Sequence, residues 1–319
     1  MRLHAYLDDG VRVGLLDAAG LFVRRVPALD GGLDLALAEG RYDDAIATAG
    51  AGSDLGEAQP AADLDPLPAL EFPGKIVCVG LNYRGHLAEQ GREVPDRPTL
   101  FAKFGNAIIG DGEPIVRPEG TRALDLECEL GVVIGRHTRR VAAGDAMGHV
   151  AGYVVANDVT ARDWQGNAAA LAPGEHGDGQ WLRAKGSDTF LPIGPVFATS
   201  DELDPGELGL RSWRIPGSGP QAGRRVAMQD ASTSDMIWPV AVLIEFVSRA
   251  ISLEPGDLIL TGTPAGVGVF RRPPIFLQPG DRVRCEVDGL GWVENPVVDW
   301  TAVRDDTDTP NAAHREGRA

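Results

Sequence analysis

The sequence predicts a β-rich α+β protein, and three observations carry that expectation. Apolar runs are short and are bounded by glycine, proline, aspartate and asparagine, the punctuation of strands and turns. Glycine (41 residues) and proline (23) are abundant while aromatics make up only 6%, a composition of many turns rather than of a helical bundle. The clearest helical stripe is confined to one place. There Val240, Leu243, Ile244, Val247 and Ile251 follow Pro239, which suits a first helical turn, and Pro255-Gly256 is expected to stop the helix.

Taken in order, residues 1–70 form a small N-terminal domain and linker. Arg2–Leu7, Val11–Leu16 and Leu21–Val26 read as short strands joined by Asp-Asp-Gly and Ala-Ala-Gly turns, a β-meander. Asp34–Thr48 reads as one helical segment and Gly50–Pro68 as a linker. Residues 71–300 form the main domain. Ile76–Val79 is a buried strand, and Arg84–Gln90 is a helical turn closed by Gly91 that places His86 and Glu89 on one face. Gly91–Pro98 is a polar loop, Leu100–Phe104 and Val150–Ala156 are strands, and Gly166–Gly179 reads as a flexible insertion. Arg211–Arg225 resembles a hairpin around Pro216–Pro220, Asp257–Leu260 is a strand, and Val283–Val287 with Trp292–Asn295 close the domain. Residues 301–319 are a polar tail, expected to be loose.

Charge narrows the partners. With 46 acidic and 30 basic residues the net charge is −16, which disfavours phosphate backbones and anionic lipid, so neither nucleic acid nor membrane is expected. An anionic substrate would need a local positive site. Cys78, Cys128 and Cys285 lack any paired spacing and sit in apolar runs, as small core residues of a reduced compartment do. No apolar signal core opens the chain and no run approaches a membrane span, so a cytosolic protein is expected.

The chemistry concentrates in Leu124–Gly135. In an extended strand Asp125, Glu127 and Glu129 face one way and Leu126, Cys128 and Leu130 the other, and the run turns wholly apolar beyond Glu129. Carboxylates at i and i+2 repel unless water or a cation lies between them. A solvated strand face is the commoner use of such a segment. With Asp158, at the end of another strand, the acids alternatively offer oxygen ligands to a hard cation such as Mg²⁺ or Mn²⁺, whereas zinc would call for Cys or His among them. Glycoside cleavage needs two acids across a cleft, which an i,i+2 pair does not obviously provide. The Thr261–Gly268 run lacks the Gly-Lys-Ser/Thr of a phosphate loop; it is either an anion-binding turn or a plain tight one.

In combination these stretches resemble the fumarylacetoacetate hydrolase (FAH) superfamily. The resemblance runs through Lys75–Tyr83 with His86, Asp125–Leu130, Gly152–Asp163, Lys185–Phe190, Pro255–Asp257, Thr261–Gly268 and Pro279–Asp281, in order across residues 73–299. It implies a mixed β-roll with a small N-terminal domain, and usually a homodimer. It makes Glu127, Glu129 and Asp158 ligands of Mg²⁺ or Mn²⁺, and His86 with Glu89 a water-activating dyad on a lid-like segment. Arg162, Gln165 and Lys185 fall where the family places polar groups around its substrate, with Lys185 among the catalytic groups, and Thr263 matches a contact to the substrate carboxylate. Asp125 is expected to be a structural acceptor.

The activity so implied is metal-dependent hydrolysis of a carbon–carbon bond in acylpyruvate-like 2-oxo acids. His86 would act as general base, and Arg162, Gln165 or Lys185 would stabilise the oxyanion. Isomerisation of 2-hydroxy-diene-dioates, tautomerisation, or decarboxylation of an oxaloacetate-type acid is the alternative, since the same enolate serves each. The chain departs from the commoner family pattern in the Pro-Gly-Ser-Gly-Pro turn and the Gly166–Gly179 insert, the latter beside the expected site.

Overall fold

The computed structural model describes residues 1–303. A twelve-stranded mixed sheet forms its backbone. From one edge the order runs Thr99–Lys103, Ile76–Gly80, Leu258–Leu260, Cys128–Ile134, Val150–Asn157 and Leu191–Thr199, then the N-terminal strands Arg2–Leu7, Val11–Leu16, Phe22–Arg25 and Ala58–Pro60. The N-terminal meander therefore extends the main sheet, with His4 opposite Val196. A five-stranded sheet, which includes Gly209–Ile215, Arg282–Val287 and Gly291–Asp299, lies against it.

Strand direction brings the expected functional residues together. Ile76–Gly80 and Leu258–Leu260 are parallel, whereas Cys128–Ile134 runs antiparallel to both Leu258–Leu260 and Val150–Asn157. The ends of three strands and the beginning of Cys128–Ile134 consequently share one edge of the sheet. His86 follows the first of these ends, the Thr261–Gly268 turn the second and Asp158 the third, with Glu127 and Glu129 at the beginning of the fourth.

Both faces of the sheet are covered, so its central strands are apolar throughout. Cys128, Leu130, Val132 and Ile134 pack on Leu243, Ile244 and Val247 of the helix Val240–Ser248 and on Leu210, Cys285 and Val293 of the second sheet. Burying Leu243 and Ile244 fully fixes that helix by about 3–6 kcal/mol. On the opposite face Val133 and Val154 share one core with Leu3, Val13 and Leu29, so the N-terminal strands and the main domain are packed continuously. The three cysteines are buried and free.

Several expectations need correction. The segment after residue 33 is two helices, Leu33–Ala38 and Tyr42–Gly50, because Gly40 turns the chain at φ +70°. The linker contains strands Ala58–Pro60 and Asp65–Pro66, which pair with Phe22–Arg25 and Arg2–Leu7. The long helix ends at Ser248, well before Pro255, since Leu253 is drawn into a bridge with Thr138; Ile251 is left outside the stripe and is exposed. The hairpin strands stop at Ile215 and resume at Val226, leaving a longer loop than Pro216–Pro220. Gly166–Gly179 is mostly irregular, with one turn at Ala168–Ala170 and an ion pair from Glu175 to Arg122. The polar tail lies outside the described residues beyond position 303.

Candidate metal centre and active site

Two features of local backbone build the acidic cluster. Regular pairing lapses between Leu124–Asp125 and Cys128–Ile134, so Glu127 sits in the gap. Asn157 closes that gap: its Oδ1 accepts the Glu127 N–H at 2.9 Å, and the Glu127 carbonyl accepts the Asp158 N–H at 2.8 Å. Glu129, one residue into the strand, accepts the Gly262 N–H at 2.8 Å. Gly262 is at φ +97°, and a Cβ there would lie 2.9 Å from that of Asn82, so only glycine presents its amide in this way.

Far from forming a solvated strand face, all three acids are buried, with Asp158 at 0% exposure. Their ligand atoms lie within 4.8 Å of one another. Lys185 Nζ bridges two of them, at 2.7 Å from Glu127 Oε2 and 2.6 Å from Asp158 Oδ2. Arg162 reaches Glu127 Oε1 at 2.7 Å and Asp125 Oδ2 at 2.9 Å. Asp125 also accepts the Gly268 and Val269 amides, so it is the structural acceptor expected of it. Lys185 and Arg162 are buried ion-pair members rather than ordinary surface charges.

These contacts divide the acids electrostatically. Burial alone would raise the pKa of Glu127, but Lys185 and Arg162 hold it well below the usual carboxylate range. Glu129 has no such partner. Burial first, then Asp158 and Glu127, push its pKa well above the ordinary value. Lys185 is the mirror case: burial opposes its charge, yet Asp158 and Glu127 outweigh burial and keep it an ammonium. Three crowded carboxylates, of which Glu129 has no cation in ion-pair range among the described residues, with oxygen atoms as the sole donors, suit a hard divalent cation.

A cavity of about 340 Å³ opens onto this cluster. His86, Glu127, Glu129, Arg162, Gln165, Lys185 and Thr263 line it. Asp158 and Glu89 stand behind Lys185 and His86, so all nine residues singled out in the sequence gather at one place. His86 is buried, with its Nδ1 2.6 Å from Glu89 Oε1, while Glu89 Oε2 accepts the Gly266 N–H. The pair is therefore built into the site rather than a surface i,i+3 contact. Arg162 Nη1 donates to Gln165 Oε1 at 3.3 Å. The Thr263 hydroxyl is committed, donating to the Cys128 carbonyl at 2.9 Å and accepting from Gln229 at 2.7 Å.

Lys103 is the residue that sequence reasoning missed. It is buried, 2.8 Å from Asp158 Oδ1, and donates to the carbonyls of Val159, Phe190 and Lys185. Burial lowers its pKa against the opposing pull of Asp158. A lone lysine closing the apolar strand Thr99–Lys103 was the available signal. Gln229, which also accepts the Cys128 N–H at 3.0 Å, gave none, because it lies in the strand Val226–Ser232, beyond the hairpin expected over Arg211–Arg225.

Residues 75–298 match the family described as Fumarylacetoacetate (FAA) hydrolase C-terminal. The chain belongs to the FAH family. It is 43% identical over 238 residues to the mitochondrial oxaloacetate tautomerase fahd2 of Xenopus laevis, covering 74% of this chain and 69% of that protein. Human mitochondrial oxaloacetate tautomerase FAHD2A is 42% identical over 240 residues, covering 75% and 71%. Among solved structures, a putative HpcE protein from Mycobacterium smegmatis superposes with a TM-score of 0.77 at 33% identity, covering 94% of this chain and all of that one (100%). The 2-hydroxyhepta-2,4-diene-1,7-dioate isomerase from Mycobacterium marinum gives 0.70 at 35%, covering 94% and 99%.

Membership of the FAH family accounts for the β-rich mixed architecture and corrects one expectation. The cytosolic assignment conflicts with relatives that are named as mitochondrial. Its basis was too narrow, since lack of an apolar signal core bears on secretion and not on import into an organelle. Among the described residues no helix is long and apolar enough to cross a membrane.

Proposed function

We propose that this FAH-family protein is a Mg²⁺- or Mn²⁺-dependent tautomerase that interconverts the keto and enol forms of an oxaloacetate-type 2-oxo dioic acid. The observation that carries the reading is the placement of His86. Its ring lines the cavity that Glu127 and Glu129 also line, with Nδ1 tied to Glu89 and Nε2 left to exchange a proton with a bound molecule. Glu127, Glu129 and Asp158 would hold a divalent cation, whose chemistry there would be Lewis acidity toward the 2-oxo group. His86 takes the proton from C3 as the electron pair moves to the 2-oxo oxygen, Glu89 stabilises the imidazolium, and the proton then passes to that oxygen to give the enol; the reverse order gives the keto form. Lys185 and Arg162 keep Glu127 ionised and fixed. The relatives of 42–43% identity, named oxaloacetate tautomerases, favour this substrate class.

Hydrolysis of acylpyruvates is the second reading, and the same His86–Glu89 pair favours it, because that pair can activate water as readily as it takes a carbon-bound proton. One experiment separates the two. Decay of enol-oxaloacetate is followed by ultraviolet absorbance with Mg²⁺, and acetylpyruvate is assayed in parallel for released pyruvate. The tautomerase reading expects accelerated enol decay, lost with chelator and reduced about 100-fold or more in His86→Ala, with acetylpyruvate intact. Pyruvate release from acetylpyruvate with enol-oxaloacetate unaffected would establish the hydrolase instead.

A further inference from the structure

The geometry points to Arg92 as the specificity-determining residue that holds the distal carboxylate of a dianionic substrate, an inference that rests on the tautomerase reading. Three cations line the cavity. Two of them are already engaged: Arg162 by Asp125 and Glu127, and Lys185 by Glu127 and Asp158. Arg92 is the third. It stands exposed at the cavity mouth, and among the described residues its guanidinium has no carboxylate in ion-pair range.

Its position is fixed by the backbone. The helix Arg84–Glu89 ends with Gly91 at φ +64°, the Gly91 N–H bonding the Ala88 carbonyl and the Arg92 N–H the Leu87 carbonyl. This left-handed closure sets Arg92 at a defined offset from His86 on the same short segment. A cation and the proton carrier are thereby presented to one cavity together.

Charge balance gives Arg92 its purpose. With a cation bound, Asp125, Glu127, Glu129, Asp158 and the Glu89 that partners a neutral His86 would carry five negative charges against three positive ones on Lys103, Arg162 and Lys185. A divalent cation would bring this set to zero net charge, leaving no surplus positive charge for a dianionic substrate beyond the cation itself. A second carboxylate then has no counter-charge unless Arg92 supplies it. A guanidinium is well suited, since its fork matches a carboxylate.

The test compares oxaloacetate with its 4-ethyl ester, which keeps the 2-oxo acid unit and the enolisable C3 but lacks the distal charge. In Arg92→Met, kcat/KM for oxaloacetate is expected to fall about tenfold, mainly through KM, while the ester stays within about twofold and Arg92→Lys is intermediate. Equal losses on both substrates, or no loss on oxaloacetate, would overturn the assignment. Calorimetry on the Mg²⁺-loaded protein provides an arm that does not depend on turnover, using malate against lactate. Wild type is expected to prefer malate, and Arg92→Met to lose that preference. If wild type equilibrates neither keto acid yet shows a malate preference that Arg92→Met removes, the tautomerase reading fails and the role of Arg92 stands. Equal affinities for malate and lactate in wild type would refute that role.

Discussion

At the scale of single residues, the site is a balance between buried charges that would be intolerable alone. Asp158 is held by two lysines, Lys103 at 2.8 Å and Lys185 at 2.6 Å. Replacing Lys103 by Met removes one and leaves three carbonyls without their donor. Breaking a buried pair in this way costs about 3–5 kcal/mol, because the surviving charge stays desolvated. Lys103→Met is therefore expected to lose that much in denaturant unfolding without metal and to regain part of it when Mg²⁺ is added. A loss of under about 1 kcal/mol, the range of an exposed pair, would mean that Lys103 contributes little to the cluster. Glu127, Glu129 and Asp158 were legible through the resemblance to the FAH family, since the i,i+2 pair alone reads more commonly as a solvated strand face. Lys103 was not, because nothing local says which way a single lysine at a strand end turns.

At the scale of elements, strands and helices whose pattern is internal were readable, whereas those shaped by distant partners were not. Cys128–Ile134 and the stripe of Val240–Ser248 carry their periodicity within themselves. The strands Ala58–Pro60 and Asp65–Pro66 exist only because the meander offers them an edge, so their Gly- and Ala-rich surroundings read as linker. The first strand supplies a pH prediction. His4 is buried beside the junction with Leu191–Thr199, and burial lowers its pKa from 6.5 to about 4. The unfolded chain then takes up a proton that the folded chain refuses. This contribution is complete above pH 6.5 and is lost as pH falls toward 4, by about 3 kcal/mol. Denaturant midpoints across that window should fall more steeply in wild type than in His4→Leu; identical slopes would show that the ring is not shielded as described.

At the scale of the molecule, an acidic chain collects its few buried cations where they act. The sheet lines up three strand ends and one beginning, and on that edge lie the carboxylates, the ammonium groups and the His86–Glu89 pair. The order of strands was beyond sequence reasoning alone, since pairing between residues far apart in the chain is set by the whole fold. The resemblance to the FAH family was what joined distant motifs into one expected site. The central claim, that this edge holds a divalent ion between Glu127, Glu129 and Asp158, is tested most directly by titrating the metal-free protein with Mn²⁺ and reading free ion by electron paramagnetic resonance. One Mn²⁺ is expected to bind per chain, to be retained in His86→Ala and to be lost in Glu129→Gln. A titration that leaves all the Mn²⁺ free, or binding that Glu129→Gln does not disturb, would contradict it.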